Sequence, residues 1–207
     1  MSTFDHPWFL CGGWAVDAWL GRQTRDHQDI DIAIAHGGQR ALREHLAGWH
    51  LIAHHPDDGG DFTATWDGRH LRLPAHIHAR PPGEANLAAL LDWVPGPRQR
   101  DPDGLDVEFI LDEVREGQWL LEGDPPVPVP LDEAVRPSPA GVPAAVPRVL
   151  MYHKATAYWG RPGYPRRHDL EDFQALKPLL TPDDEAWLRD ALAAFVHPWL
   201  AHLRIDD

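Results

Sequence analysis

Two aspartates one residue apart, Asp29 and Asp31, are the residues of this sequence best placed to do chemistry. From Asp29 to Ala35 the isoleucines at 30, 32 and 34 alternate with other residues, a period of two that predicts a half-buried strand. Side chains at i and i+2 on a strand point to the same face, with Cα atoms roughly 7 Å apart. Both carboxylates then face away from the isoleucine row. Like charges held side by side raise each other's pKa unless a cation sits between them. Paired carboxylates on a rigid strand therefore suit a hard divalent ion such as Mg2+, which takes carboxylate oxygens together with substrate phosphates. Taken alone, the same pattern is also that of a solvated face on an edge strand.

A second feature precedes the pair. Gly12-Gly13 opens a run in which Trp14, Ala15, Ala18, Trp19 and Leu20 fall at helical spacing before Gly21. A glycine turn at a helix N-terminus lets backbone N–H groups approach phosphate. The whole run CGGWAVDAWLGRQTRDHQDIDIAI, residues 11–34, resembles the polymerase β-like nucleotidyltransferase superfamily. Its wording is most similar to the branch that holds aminoglycoside and lincosamide adenylyltransferases and many uncharacterised bacterial relatives. Where many members carry Gly-Ser at the turn, this chain has Gly12-Gly13 followed by Trp14, so a hydroxyl that helps hold phosphate is missing.

The resemblance implies a set of roles. Asp29 and Asp31 would be catalytic residues and metal ligands for Mg2+, and Gly12 and Gly13 would help bind the nucleotide; Arg25, just ahead of the pair, is a further nucleotide-binding candidate, with support of the site or the surface as its plain alternative, and His27 shares that choice. A third carboxylate is required on a neighbouring strand, and GLDVEFIL offers Asp106 and Glu108. Position relative to the strand start favours Asp106, as metal ligand or as base for the acceptor hydroxyl, with Glu108 in reserve. Lys154 falls on the helix that relatives use to reach the nucleotide phosphates, and a flexible point charge suits that task. A surface lysine with a snorkelling stem is the plain alternative. Asp169 and Asp172 share one helix face and resemble residues that tie helices together, although His168 stands where lysine is usual. The implied activity is transfer of a nucleoside monophosphate, AMP from ATP, to a hydroxyl of a small molecule, with antibiotic resistance as the analogous role. The rival readings are a toxin-like enzyme acting on tRNA or protein and a non-catalytic nucleotide-binding module.

These residues need elements to hold them. Further helices are expected at Gln39–Trp49 and around Leu87 to Trp93, and strands at Leu51–Ala53, Phe62–Trp66, Leu71–Ala79 and Leu105–Leu111. Eight prolines fall within residues 122–147, yet Val127, Val129 and Leu131 alternate among them and predict edge strands with tight connections. From Pro147 the pattern is helical, with Val149, Leu150, His153 and Ala157 on one face, then helices over Asp169–Leu180 and Asp183–Phe195 and a last turn near Trp199. The expected organisation is an α/β (α+β) nucleotidyltransferase core with a short mixed sheet over residues 1–115. A Pro-rich connection with short strands follows at 116–146, then a C-terminal helical lobe at 147–207.

Composition narrows the partners. The 207 residues carry 19 Lys+Arg against 32 Asp+Glu, a formal net charge of −13. Phosphate backbones are bound by Lys and Arg, so nucleic acid is disfavoured, while a cationic acceptor is compatible. No apolar run approaches a membrane span. The start, MSTFDHPWFL, lacks a basic segment ahead of an apolar one, so no signal peptide is expected. One cysteine, Cys11, excludes an internal disulfide, and the chain reads as soluble and cytoplasmic. Fourteen histidines include His76 and His78 on one strand face, but no third spaced ligand points to zinc. Trp14 and Trp19 read as packing residues, and Trp66 and Trp93 as core in preference to an acceptor pocket.

Overall fold

The computed structural model describes residues 1, 3–27, 29–54, 65–82, 106–157, 164–195 and 197–203, with Asp106 described in its backbone alone. The expected helix at 87–93, Trp93 and most of the strand expected at 62–66 lie outside them.

Nine strands among the described residues form a mixed sheet. They are β1 Trp8–Leu10, β2 Asp29–Ala35, β3 His50–His54, β4 Ala75–Arg80, β5 Asp106–Arg115, β6 Gln118–Leu121, β7 Val127–Pro130, β8 Val135–Pro137 and β9 Pro143–Ala145. The main order is β3-β4-β5-β2-β1-β9-β8, with β6 and β7 continuing from the far end of β5. The central pair, β2 with β5, is parallel, whereas β4 on β5, β3 on β4 and β1 on β2 are antiparallel. Alternation explains the layering. Ile30, Ile32, Ile34, Ile77, Ala79, Val107 and Phe109 are fully buried, and the intervening positions bring Asp29, Asp31, Glu108, His76 and His78 to the other face.

Two strand ends follow from proline and glycine chemistry. The strand expected from Leu71 begins only at Ala75, immediately after Pro74, whose ring nitrogen cannot donate to a ladder. The β5–β6 hairpin turns on Glu116 and Gly117, both at positive φ, the conformation of a primed two-residue turn. The Pro-rich stretch contributes β7, β8 and β9. Of these, β9 joins the main sheet in parallel with β1 and antiparallel with β8.

The helices are α1 Gly12–Leu20, α2 Gln39–His45, α3 Leu131–Ala134, α4 Pro147–Thr156, α5 Arg167–Leu176 and α6 Pro182–Ala193. Helix α2 is shorter than the 39–49 expected, because the chain turns at Leu46–Trp49 with Gly48 at φ 88°. Helix α5 likewise tightens into a 3-10 turn at Lys177–Leu179, where Pro178 has no N–H for an α-helical bond. Thr181 and Asp184 form a reciprocal capping box that starts α6. Helix α4 packs against α1, α5 and α6. It therefore buries Val149, Leu150, Met151, Tyr152, Lys154 and Ala155, leaving Ala157, expected on the apolar face, exposed. Among the described residues no helix is long and apolar enough to cross a membrane.

Candidate active site

The site begins where β1 runs into α1. Cys11 N donates to Asp31 O at 2.9 Å, which ties the start of α1 to β2. Gly12 then takes φ +61°, and a Cβ there would collide with the Asp31 carboxylate. Only glycine lets the helix N-terminus approach Asp31 this closely. Cys11 serves as N-cap without a side-chain cap bond, and the first-turn N–H groups of a helix have no acceptor within it. The thiol is buried, and burial raises its pKa well above the usual thiol range, which fits a packing role.

Register supplies the neighbouring acid. In the parallel β2–β5 pair, Asp29 lies across from Asp106 and Asp31 from Glu108. Carboxylate oxygens of Asp29, Asp31 and Glu108 lie within 4.8 Å of one another. Asp106 thus takes the position beside Asp29 in the ladder, while its side chain is outside what the structure describes.

Crowding has electrostatic consequences. Burial, then the charges of Asp29 and Glu108, push the Asp31 carboxyl up to about 8, against the opposing pull of Lys154 and His76. Burial and Glu108 also raise Asp29. Glu108 behaves differently. Burial raises it, but the hydrogen bond and charge of His76, the charge of His78 and a hydrogen bond with Asp31 together hold it below the ordinary value. Residues of one type thus divide: one carboxyl keeps its proton near neutrality and another is held ionised. His76 and His78, set aside as zinc ligands on sequence grounds, are the partners that sequence reasoning missed. Their alternation is visible along the chain; what they face is not.

A basic group approaches from the other side. Arg25 and His27 both lie against Gly13, where a Cβ would collide with the His27 ring and stand 2.6 Å from Arg25 Nη2. His27 Nε2 donates to Asp17 Oδ2 at 2.5 Å, and Asp17 Oδ1 accepts from Thr24 N at 2.9 Å. The His27 ring also packs on Trp14, with centroids 4.6 Å apart. Arg25 Nη2 donates to Asp172 Oδ2 at 3.3 Å, and Lys154 Nζ reaches the same oxygen at 2.6 Å and Asp169 Oδ1 at 3.5 Å. Arg166 grips Asp169 through Nε at 2.6 Å and Nη2 at 3.0 Å. Lys154 is 8 % exposed, so it is not a snorkelling surface lysine. Arg166 and Lys154 take the pairing role that His168 left open. Gly12 thus lies against Asp31 and Gly13 against Arg25, while Arg25 and Lys154 meet on Asp172. Trp66, weighed as an acceptor residue, is buried with its indole N–H on Arg69 O at 2.8 Å, and Trp19 donates to Ala145 O at 2.7 Å.

Residues 1–55 match the family described as aminoglycoside-2''-adenylyltransferase. The chain is 47% identical over 45 residues to 2''-aminoglycoside nucleotidyltransferases of Escherichia coli and Klebsiella pneumoniae, a stretch covering 20% of this chain and 25% of those relatives. The matched stretch thus spans only a quarter of the length of those relatives. The fold extends further than the sequence match. A crystal structure of ANT(2")-Ia in complex with adenylyl-2"-tobramycin aligns over 93% of this chain and 88% of its own, at TM-score 0.54 and 14% identity. The lincomycin-bound lincosamide antibiotic adenylyltransferase LnuA aligns over 84% of this chain and 87% of its own, at TM-score 0.50 and 14% identity. The chain has the fold of these nucleotidyltransferases, and its N-terminal quarter resembles their aminoglycoside branch in sequence.

Proposed function

We propose that this chain is a Mg2+-dependent nucleotidyltransferase that moves AMP from ATP to a hydroxyl of a small molecule, an aminoglycoside- or lincosamide-like compound being the first class to try. The observation that carries this reading is the meeting of Asp29, Asp31 and Glu108 within 4.8 Å against the glycine turn that starts α1, in a nucleotidyltransferase fold. The donor set fits the metal. Three carboxylates offer the hard oxygen ligands that Mg2+ takes, and a carboxyl driven up to about 8 by burial and then by its acidic neighbours is one that a cation would return to the ionised form. Asp29, Asp31 and Glu108 would hold the Mg2+, whose charge would offset that of the triphosphate as pyrophosphate leaves the α-phosphorus.

The protein's own groups account for the rest. First-turn amides of α1 at Gly12 and Gly13 offer N–H donors to phosphate oxygens. Arg25 and Lys154 add positive charge at the same end, where pyrophosphate departs. Glu108, held ionised by its histidine partners, takes the proton from the acceptor hydroxyl. That oxygen bonds to the α-phosphorus as the bond from phosphorus to pyrophosphate breaks. Glu108 is the third carboxylate of this proposal, in place of the Asp106 that the strand start favoured. Positioning and charge neutralisation supply the acceleration, as in other phosphoryl transfers.

The test is incubation with labelled nucleoside triphosphates, Mg2+ and a panel of aminoglycosides, lincosamides, total tRNA and cell lysate. Asp31→Asn is expected to abolish pyrophosphate release with the fold intact; wild-type turnover in this variant overturns the reading. Glu108→Gln is expected to stop chemistry and to weaken binding of the divalent ion. If Asp106→Asn does so instead, the third carboxylate is Asp106. Labelled tRNA or protein in place of a labelled small molecule would make the enzyme a macromolecular transferase. MgATP binding without turnover on any acceptor would make the chain a nucleotide-binding module.

A further inference from the structure

Glu108 differs from Asp29 and Asp31 in having one more rotatable bond between its carboxylate and the strand. A sheet that fixes two aspartates leaves a glutamate freer to leave the cluster, and ordering it costs more side-chain entropy. The restraint comes from β4. His78 lies directly across from Glu108 in the antiparallel ladder, and His76 lies one pair along, across from Ile110. Both rings stand on the carboxylate face of the sheet, where the side chains of directly and diagonally opposed residues reach one another. His76 Nδ1 donates to Glu108 Oε1, and His78 Nε2 lies 3.9 Å from the same oxygen. His76 is thus within hydrogen-bonding distance of this carboxylate.

We infer that His76 is a positioning residue that holds the Glu108 carboxylate at the divalent-cation site, giving a glutamate the fixity that an aspartate has from its shorter stem. This rests on the assignment of Glu108 as a ligand in the function proposed above. Ligating carboxylates are themselves commonly hydrogen-bonded, and loss of such a partner typically costs 10–100-fold in metal affinity or activity. His76 itself does not touch substrate in this role. It acts through Glu108, and so its loss registers in cation binding before any acceptor is present.

The geometry of the imidazole defines the variants. The side-chain amide nitrogen of asparagine reaches the place of Nδ1, whereas that of glutamine reaches the place of Nε2. The experiment titrates the full chain with Mn2+ alone, by calorimetry or by loss of the free-ion electron paramagnetic signal, and records thermal unfolding of each variant. His76→Asn is expected to bind Mn2+ within a fewfold of wild type. His76→Gln is expected to bind about 10- to 100-fold more weakly at an unchanged melting temperature, and Glu108→Gln more weakly still. Equal or tighter binding by His76→Gln, alongside weakened Glu108→Gln, overturns the positioning role and leaves Glu108 as ligand. Wild-type binding by Glu108→Gln overturns the ligand assignment itself, and the positioning role with it. Weak binding by His76→Asn as well as His76→Gln overturns the claim that the Nδ1 hydrogen bond is what matters.

Discussion

At the scale of single residues, the site depends as much on missing side chains as on present ones. Gly12 and Gly21 both adopt positive φ, +61° and +66°, but their surroundings differ. A Cβ at Gly21 would meet nothing within 4 Å, whereas one at Gly12 would collide with the Asp31 carboxylate. Alanine at either position costs about 1–2 kcal/mol for the left-handed backbone. Gly21→Ala is therefore expected to lower the melting temperature by a few degrees and to leave Mn2+ affinity unchanged. Gly12→Ala should lower both, because the carboxylate must also move. Paired thermal unfolding and Mn2+ titration separate the two effects, and equal behaviour of the two variants would refute the close approach.

At the scale of elements, the helix ends carry most of the local logic. Pro147 starts α4, the Thr181–Asp184 box starts α6, and His197 caps the 3-10 turn at Pro198–His202 by accepting from Trp199 N through Nδ1 at 3.2 Å. An imidazole that accepts at Nδ1 must be neutral there. Burial pushes His197 down to about 4, against about 6.5 in an unfolded chain. The folded value is the lower one, so the unfolded chain takes up the proton first. The stability that His197 contributes is complete above about pH 6.5 and is lost as pH falls toward 4. Burial likewise pushes His153 down to about 4, with the same sign. His197→Asn keeps an acceptor for Trp199 N and does not titrate. Its melting temperature is expected to fall less than that of wild type between pH 7 and pH 5. A wild-type pH profile in the variant would remove His197 from this role.

At the scale of the whole molecule, one carboxylate joins the two ends of the chain. Asp172 on α5 receives Arg25 from the segment before β2 and Lys154 from α4, and is 2 % exposed. Removing one partner of a buried ion pair leaves uncompensated charge and costs about 3–5 kcal/mol. The neighbouring pair Arg167–Glu171 is exposed, with side chains 91% and 52% accessible, and exposed pairs contribute about 0–1 kcal/mol. Urea unfolding should therefore show a large loss for Asp172→Asn and almost none for Glu171→Gln. Equal stability of the two variants would show that the helices are held by their apolar faces alone. The excess acidity of the chain acquires a location at this scale as well, since three of its carboxylates share one small volume.

Local order is legible in the chain itself. The period-two run from Asp29 to Ala35, the glycines that open α1 and the helical stretch from Pro147 depend on neighbours in sequence; the strand and the C-terminal helices stand where the pattern puts them, and Gly12 and Gly13 form the first turn of α1 itself. Side-chain periodicity also puts Asp29 with Asp31, and His76 with His78, on common faces. It carries no information on register, which is set by pairing between residues far apart in the chain. Register places both Asp106 and Glu108 across from aspartates of β2, and it governs the contact of His76 with Glu108 across 32 positions of sequence. The same holds for Lys154, whose sequence surroundings suit a phosphate-binding lysine and a surface lysine equally. Folding brings it beside Asp169 and Asp172 and within electrostatic reach of Asp31. Residue type and periodicity specify which side chains carry charge and which face of their element they occupy. Which charges meet is a property of the folded chain, because the energy of a buried carboxylate depends on the groups within a few ångströms of it and not on its neighbours in sequence.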